Sequence, residues 1–352
     1  MASLSDFVRP AILSMDGYVP GEQPKDRRYV KLNTNENPYP PSPRVLEAVR
    51  ACAGEDLRLY PDPMADALRD RAAAVYGFRR ENILAGNGSD DLLAMIIRAC
   101  VGPGDRVVFP TPTYSLYDTL IGIGGGTAVE VPFGPDFALP AGLAAAGGRV
   151  TFVCHPNSPS ATAVPIGEIE ELARRLNGLL VVDEAYVDFA GESALPLVHR
   201  HDNLVVLRTF SKSFSLAGLR IGLAFAAPPL IGELAKVKDS YNLTRVGIAA
   251  ATAALEDCAW MQENVRRIRA TRDRLVPALR ALGFVVPGSE ANFVLARRPG
   301  QKQRATYEQL KERGILVRYF DTPQLADALR ITVGTDAEVD ALLKALGQIA
   351  GG

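Results

Sequence analysis

The chain has 352 residues, 47% of them hydrophobic and 22% charged, with 39 basic residues against 40 acidic ones for a formal net charge of −1. At about 150 residues per domain, this length suggests two domains, or one large domain with a smaller companion, and the near-zero charge removes any global electrostatic case for nucleic acid. Cys52, Cys100, Cys154 and Cys258 are widely spaced in mostly apolar surroundings and read as reduced core residues; with only three histidines, neither a disulfide framework nor a metal site is expected.

The N-terminus lacks the apolar core of a secretory signal, and no uninterrupted apolar stretch reaches bilayer length, so the expectation is a cytoplasmic globular protein without a membrane partner. The first 42 residues are rich in turn formers: Pro20-Gly21, Asn33 to Pro38, then Pro40, Pro41 and Pro43. Proline fixes φ and discourages regular helix, so this segment reads as an ordered arm. A helix is expected over Pro43–Cys52, another on the spacing of Met64, Leu68, Ala72 and Val75, and a third from Ser89 through Ile97. Strands are predicted at Arg106–Phe109, Ala128–Val131, Val150–Cys154, Leu179–Asp183, Leu204–Leu207 and Arg220–Ala224, with a helix over Ile166–Leu176. Almost wholly apolar strands alternating with helices indicate a mostly parallel sheet covered on both faces, with ligands expected beyond the strand C-termini. After Tyr241 the pattern turns helical as far as Leu282. Short strands at Phe284–Val286, Asn292–Ala296, Ile315–Arg318 and Arg330–Val333 and helices at Tyr307–Arg313 and Ala337–Leu346 then form a smaller α+β unit. The expected division is an arm over 1–42, a large domain over 43–264 and a small domain over 265–352.

Polar chemistry collects just after the apolar strands. Gly86-Asn-Gly-Ser-Asp90 precedes an apolar helix; alone it is a helix start, and its free amides suit a phosphate. Tyr114 follows one strand and offers a ring that either stacks on a flat ligand or packs. Asn157 follows another, next to His155, for which a catalytic and a packing role both stay open. Asp183 ends an apolar strand, where a carboxylate is costly unless paired or facing a site, and Tyr186 lies three residues on. Lys212 sits in the run Arg208-Thr-Phe-Ser-Lys-Ser-Phe-Ser-Leu-Ala-Gly-Leu-Arg220, bracketed by Ser211 and Arg220, and a lysine amine in such a pocket can react with a carbonyl. Gly122-Ile-Gly-Gly-Gly misses the dinucleotide fingerprint, and neither a Walker-type phosphate loop nor a Gly-x-Ser-x-Gly elbow occurs.

Taken in order, Leu32-Asn-Thr-Asn-Glu-Asn-Pro38, Tyr60-Pro-Asp62, Gly86-Asn-Gly-Ser-Asp90, Pro112-Thr-Tyr114, Asn157, Asp183-Glu-Ala-Tyr186, Ser211-Lys212, Gly218-Leu-Arg220, Gly314-Ile-Leu-Val-Arg318 and Leu329-Arg-Ile-Thr-Val-Gly334 span nearly the whole chain. The set resembles the fold-type I aminotransferases that use pyridoxal 5′-phosphate, and within them the histidinol-phosphate aminotransferases. The resemblance implies a three-layer αβα major domain with a smaller α+β domain, and a homodimer with shared active sites. It makes Lys212 the cofactor's covalent anchor and proton carrier, and Asp183 the partner of the pyridine nitrogen. Asn157 and Tyr186 would hydrogen-bond the ring's phenolic oxygen, and Tyr114 would stack on the ring. Gly88, Ser89, Asp90, Ser211 and Arg220 would hold the phosphate, joined by Tyr60 from the neighbouring subunit. Arg330 would clamp an α-carboxylate, Arg318 the far phosphate or the glutamate side-chain carboxylate, and Tyr18 and Asn35 would help close the site. The implied reaction moves an amino group between L-histidinol phosphate and 2-oxoglutarate, giving glutamate, by a ping-pong route. An aromatic-amino-acid aminotransferase is the alternative; a threonine-phosphate decarboxylase and a cofactor-binding regulatory protein stand further off. Ser213-Phe214-Ser215 departs from the familiar segment, which often carries tyrosine and glycine there.

Overall fold

The structure, a computed structural model, describes residues 3–351. In chain order its elements are α1 (Pro10–Ser14), β1 (Val30–Lys31), α2 (Pro43–Cys52), α3 (Asp66–Tyr76), β2 (Ile83–Gly86), α4 (Ser89–Cys100), β3 (Arg106–Thr111), α5 (Leu116–Gly124), β4 (Thr127–Pro132), β5 (Val150–Cys154), α6 (Ile166–Arg175) and β6 (Leu179–Asp183). They continue as β7 (Leu204–Thr209), β8 (Gly222–Phe225), α7 (Pro228–Lys236), α8 (Arg245–Glu256), α9 (Cys258–Ala281), β9 (Phe293–Arg297), α10 (Arg304–Glu312), β10 (Ile315–Leu316), β11 (Arg318–Tyr319), β12 (Ala328–Thr332) and α11 (Asp336–Gly351).

Seven strands form the main sheet in the order β2-β8-β7-β6-β5-β3-β4, with β8 antiparallel to both neighbours and the remaining pairs parallel. The period of two in each strand divides the core cleanly. Leu180, Val182, Leu204 and Val206 face one apolar layer with Leu68 of α3, Ile169 and Leu172 of α6 and Ala250 of α8. Val181, Val205 and Leu207 face the other with Leu93 and Ile96 of α4, Tyr117 and Ile121 of α5 and Ile231 of α7. Leu180, Val181 and Val182 have no exposed surface, and each such side chain contributes roughly 1.5–3 kcal/mol of burial. The expected three-layer αβα domain is therefore present.

A second core joins Ile268 and Leu275 of α9, Phe293 of β9, Leu310 of α10, Ile331 of β12 and Leu342 of α11, and takes in Leu32 from the arm. Its sheet is the antiparallel trio β11-β12-β9, beside the parallel pair β1-β10. The arm is thus stitched to the small unit at Val30 and Lys31, so that residues 33–37 are carried across the sheet edge of the large one. Helix α9 runs unbroken through the expected division at 264 and 265.

Local differences have local causes. β8 begins at Gly222, two residues late, because Arg220 takes a left-handed φ of 53°. Phe284–Val286 forms a single bridge, Val285 to Arg297, and no strand. Five elements lacked a sequence expectation: α1 and β1, both within the arm; β2, with four residues; α5, interrupted by Gly122 and Gly124; and α7, whose two leading prolines occupy the first turn, where their missing N–H groups cost nothing.

Candidate active site

One cavity of about 420 Å³ opens where the C-terminal ends of β3, β5, β6 and β7 meet the arm and the small unit. Tyr18, Asn35, Ser89, Asp90, Tyr114, Asp183, Tyr186, Ser211, Lys212, Arg220, Arg318 and Arg330 all line it. The parallel strands explain much of the convergence: Tyr114, Asp183, Tyr186, Ser211 and Lys212 lie at or just past strand ends that the crossovers bring to one edge, while Tyr18 and Asn35 come from the arm and Arg318 and Arg330 from the small sheet.

At one end is an anion cradle. Helix α4 starts at Ser89 with no side-chain cap, so the first-turn amides and the positive end of the helix dipole point outward. Gly88, at φ 83°, lets the chain turn tightly here, and a Cβ on it would come within 2.6 Å of the Arg220 guanidinium. Behind it, a Cβ on Gly222 would sit 2.7 Å from the Ser89 nitrogen, so β8 presses directly on the helix start. Arg220 donates to Ser211 Oγ at 3.3 Å and pairs with Asp90 at 2.9 Å, while Tyr114 Oη donates to the other Asp90 oxygen at 3.1 Å. The Asp90 carboxylate is therefore turned towards Arg220 and Tyr114.

Deeper in, Asp183 ends β6 in full burial. Its oxygens accept from Tyr117 Oη at 3.0 Å and from the Ala185 amide at 3.1 Å. Burial outweighs both bonds and pushes its carboxyl up to about 6, which leaves it poised to meet a cationic partner. Lys212 Nζ donates to the Thr34 carbonyl at 3.3 Å and lies 5.6 Å from the Tyr186 ring centre. Burial, reinforced by the positive charge of Arg330, brings its ammonium down to about 8. Tyr186 Oη accepts from Asn35 Nδ2 at 3.0 Å, and burial pushes the phenol up to about 12. Asn35 takes a left-handed φ of 56°, and its Oδ1 accepts from the Thr332 hydroxyl at 3.1 Å, a tie from the arm to β12.

The far end carries two arginines. Arg318 and Arg330 are direct cross-strand partners on β11 and β12, a like-charge pairing that opposes sheet formation. Arg330 donates to Ser158 Oγ at 3.2 Å and to the Asn33 carbonyl at 3.0 Å, and its buried Nε has no hydrogen-bond partner among the described residues. Arg318 is half-buried and donates to the carbonyls of Val19 and Pro20 at 3.1 and 3.2 Å. Phe320 lies near both guanidinium groups, at 5.2 and 5.5 Å.

Two residues lie elsewhere. Asn157, fully buried at the wall, accepts from Thr113 Oγ1 at 2.7 Å and donates to the Pro112 carbonyl and Ser160 Oγ at 3.2 and 2.9 Å. Tyr60 is 76% exposed and stacks on Tyr241, away from its own chain's cavity. His155 Nδ1 accepts the Val164 amide at 3.1 Å and Nε2 faces the Glu192 carbonyl at 3.2 Å, which puts the ring proton on Nε2. Burial lowers its pKa, and the neutral ring ties two loops together. Sequence reasoning did not single out Tyr117, Thr34 and Asn37. Their contacts join segments remote in sequence; only the position of Tyr117, three residues after Tyr114, gave a local hint.

The family model described as aminotransferase class I and II matches residues 27–346. Histidinol-phosphate aminotransferase 1 of Nostoc sp. is 47% identical over 345 residues, covering 97% of this chain and 98% of that protein. The histidinol-phosphate aminotransferase of Citrifermentans bemidjiense is 48% identical over 347 residues, covering 98% of this chain and 99% of that one. Among solved structures, histidinol-phosphate aminotransferase from Sinorhizobium meliloti in complex with pyridoxal-5′-phosphate superposes with a TM-score of 0.90 at 30% identity, covering 98% of both chains.

Proposed function

We infer, from the premise that this chain belongs to the class I and II aminotransferases, that it transfers the amino group of L-histidinol phosphate to 2-oxoglutarate, yielding imidazole-acetol phosphate and L-glutamate in histidine biosynthesis. One observation carries the reading: a single cavity joins an anion cradle, a deprotonatable lysine and a facing pair of arginines.

The residues fit pyridoxal 5′-phosphate. The uncapped start of α4, with Ser211 and Arg220, suits its phosphate; the glycines at 88 and 222 keep that cradle open; buried Asp183 suits a protonated pyridine nitrogen. When bound, the cofactor draws electrons from the substrate Cα so that its proton becomes removable. Lys212 Nζ anchors the cofactor and, once displaced by substrate, moves the proton from Cα. Asp183 keeps the ring nitrogen protonated, with Tyr117 fixing the carboxylate. Tyr114 covers the ring face, and Tyr186, held by Asn35, reaches its phenolic oxygen. Asn157, in the wall beside Thr113, would hydrogen-bond the same oxygen. At the other end the arginines take substrate in two forms. Glutamate presents two carboxylates, for Arg330 and Arg318; histidinol phosphate presents a single dianionic group to the same pair. Tyr18 and Asn35 close the arm over both.

Tyr60 completes the phosphate site from a second copy of the chain. Support comes from the exposed apolar surface around it, where Leu57, Leu59, Tyr60 and Tyr241 are 57%, 45%, 76% and 46% exposed. The free cysteines favour a reducing compartment, the cytoplasm. The test is single-turnover absorbance of the cofactor-loaded protein with L-histidinol phosphate and L-phenylalanine offered separately. Conversion should be much faster with histidinol phosphate; preference for phenylalanine would replace this substrate with an aromatic one and keep only the transamination.

A further inference from the structure

The loop that carries Lys212 is gripped from two sides. From the arm, Asn37 Nδ2 donates to the backbone carbonyl of Lys212 at 3.2 Å and to that of Ser213 at 3.0 Å. Its Oδ1 accepts the Tyr39 amide at 3.0 Å, which fixes which face of the amide turns to the loop. From below, the Ser213 hydroxyl donates to Asp188, which pairs with Arg208 at 2.9 Å; Arg208 also lies 2.9 Å from Glu184, the neighbour of Asp183. Inside the loop the Leu216 amide donates to the Phe210 carbonyl at 3.0 Å and the Ser211 amide to Thr209 Oγ1 at 3.1 Å, while the contact on the Lys212 carbonyl itself, from the Ser215 amide, is longer at 3.4 Å. At the lysine carbonyl itself, the arm therefore makes the shorter contact.

We propose that Asn37 is a positioning residue for Lys212: its amide holds the lysine peptide against the arm, so that the amine keeps its reach to the substrate Cα after leaving the cofactor. The proposal rests on the reading above, in which Lys212 moves the Cα proton. Three features support it. The same stretch of arm also meets the lysine side chain, through the Thr34 carbonyl, and Tyr186, through Asn35. A side-chain amide reaching two successive carbonyls restrains both position and tilt of the peptide, where one bond would leave a hinge. A proton-transferring group must also be placed to within a fraction of an ångström, and a displacement of about 1 Å can cost roughly 100-fold in rate.

The experiment uses the cofactor-loaded full chain, comparing wild type with Asn37→Ala and Asn37→Ser. The serine variant retains a hydroxyl donor and, where the alanine variant does not load cofactor, carries the comparison by itself. Glutamate is the amino donor, with hydrogen or deuterium at Cα. The expected result for Asn37→Ala is a kcat per loaded site lowered about 10- to 100-fold, a KM within about threefold of wild type, and a larger deuterium effect because proton transfer has become slower. Asn37→Ser should fall between the two. A purely architectural role would lower the melting temperature or cofactor content and leave the isotope effect and kcat per loaded site within about twofold of wild type; that outcome overturns the proposal. A wild-type protein that does not turn over glutamate at all would instead sink the aminotransferase reading itself.

Discussion

The two ends of the cavity are built on different terms. At the cradle end, Ser211 and Asp183 are buried, glycines press backbone against backbone, and β8 leans directly on the start of α4. At the arginine end, the Arg318 guanidinium is engaged with main-chain carbonyls of the arm, partners that an incoming carboxylate or phosphate can replace. The first end suits a group that stays through every turnover, and the second suits two substrates that must enter and leave in alternation. Substitutions should therefore separate cofactor retention from substrate affinity.

The largest effect should come from Gly222→Ala. Its Cβ would meet the Ser89 nitrogen and Gly88 backbone at 2.7 Å, with no flexible side chain to yield. Overpacking of this kind costs about 1–3 kcal/mol. Cofactor affinity, measured by titrating apoprotein, should fall roughly 10- to 100-fold, at about 1.4 kcal/mol per decade, and KM for glutamate at saturating cofactor should change little. Equal damage to both ends would show that they are not separately built.

Arg318→Gln should show the complementary pattern. Charge-assisted hydrogen bonds contribute about 1.5–3 kcal/mol, so KM for histidinol phosphate and for glutamate should rise about 10- to 100-fold while cofactor affinity holds. Amides of the arm around Val19 and Pro20 should also exchange faster with solvent, because their carbonyls lose the latch. A KM effect confined to one substrate would sharpen the comparison by showing that the two anions divide the arginines unequally.

A pH series probes the junction between the ends. Lys212 is held down to about 8 by burial and by Arg330, so the neutral amine that attacks the cofactor aldehyde grows as pH rises to that value. Below it the rate of cofactor reattachment should climb about tenfold per pH unit, then level off. The linkage has the same direction. Between about 8 and the ordinary 10.5, the unfolded chain holds a proton that the folded apoprotein lacks, so this lysine makes apoprotein stability rise with pH across that window. Removing the positive charge of Arg330 should move the midpoint upward; an unmoved midpoint would leave burial, with a smaller part from Arg220, as the cause.

How much of this was legible depended on whether the information was local. The strand Leu179–Asp183 could be read to its last residue because an unbroken apolar run fits a central parallel strand. Pro43 and Ser89 marked the starts of α2 and α4 for equally local reasons, an N1 proline and a residue that suits a helix N-terminus. By contrast, α5 carries little polar patterning and two glycines, so no helical stripe stood out. In the site, strand-end residues such as Asp183 and Lys212 were visible because a polar group after apolar strand demands a reason. Tyr117 was not, since its reason is a hydrogen bond to a residue 66 positions away, and Asn37 meets its carbonyls across 175 and 176 positions. The topology that supplies those partners is absent from any local window.

The smallest expected effect lies in the lysine loop, where a local signal was legible in advance. Ser215 lies in the segment Ser213-Phe214-Ser215 that departs from the familiar pattern, and the structure gives it a φ of 62° and a buried hydroxyl without a hydrogen-bond partner among the described residues. The left-handed conformation costs an L-residue roughly 1–2 kcal/mol, and an unsatisfied buried hydroxyl adds about 1–3 kcal/mol. Ser215→Gly removes both penalties, at the cost of a more flexible unfolded chain, which returns about 0.5–1 kcal/mol. The balance is a stabilisation of about 1–4 kcal/mol, seen as a rise of a few degrees in melting temperature for a chain of this size. Because Asn37 and Asp188 hold the loop from outside, kcat and KM should stay near wild type. A kcat that falls while stability rises would mean that the strained turn, as well as the arm, sets the reach of Lys212.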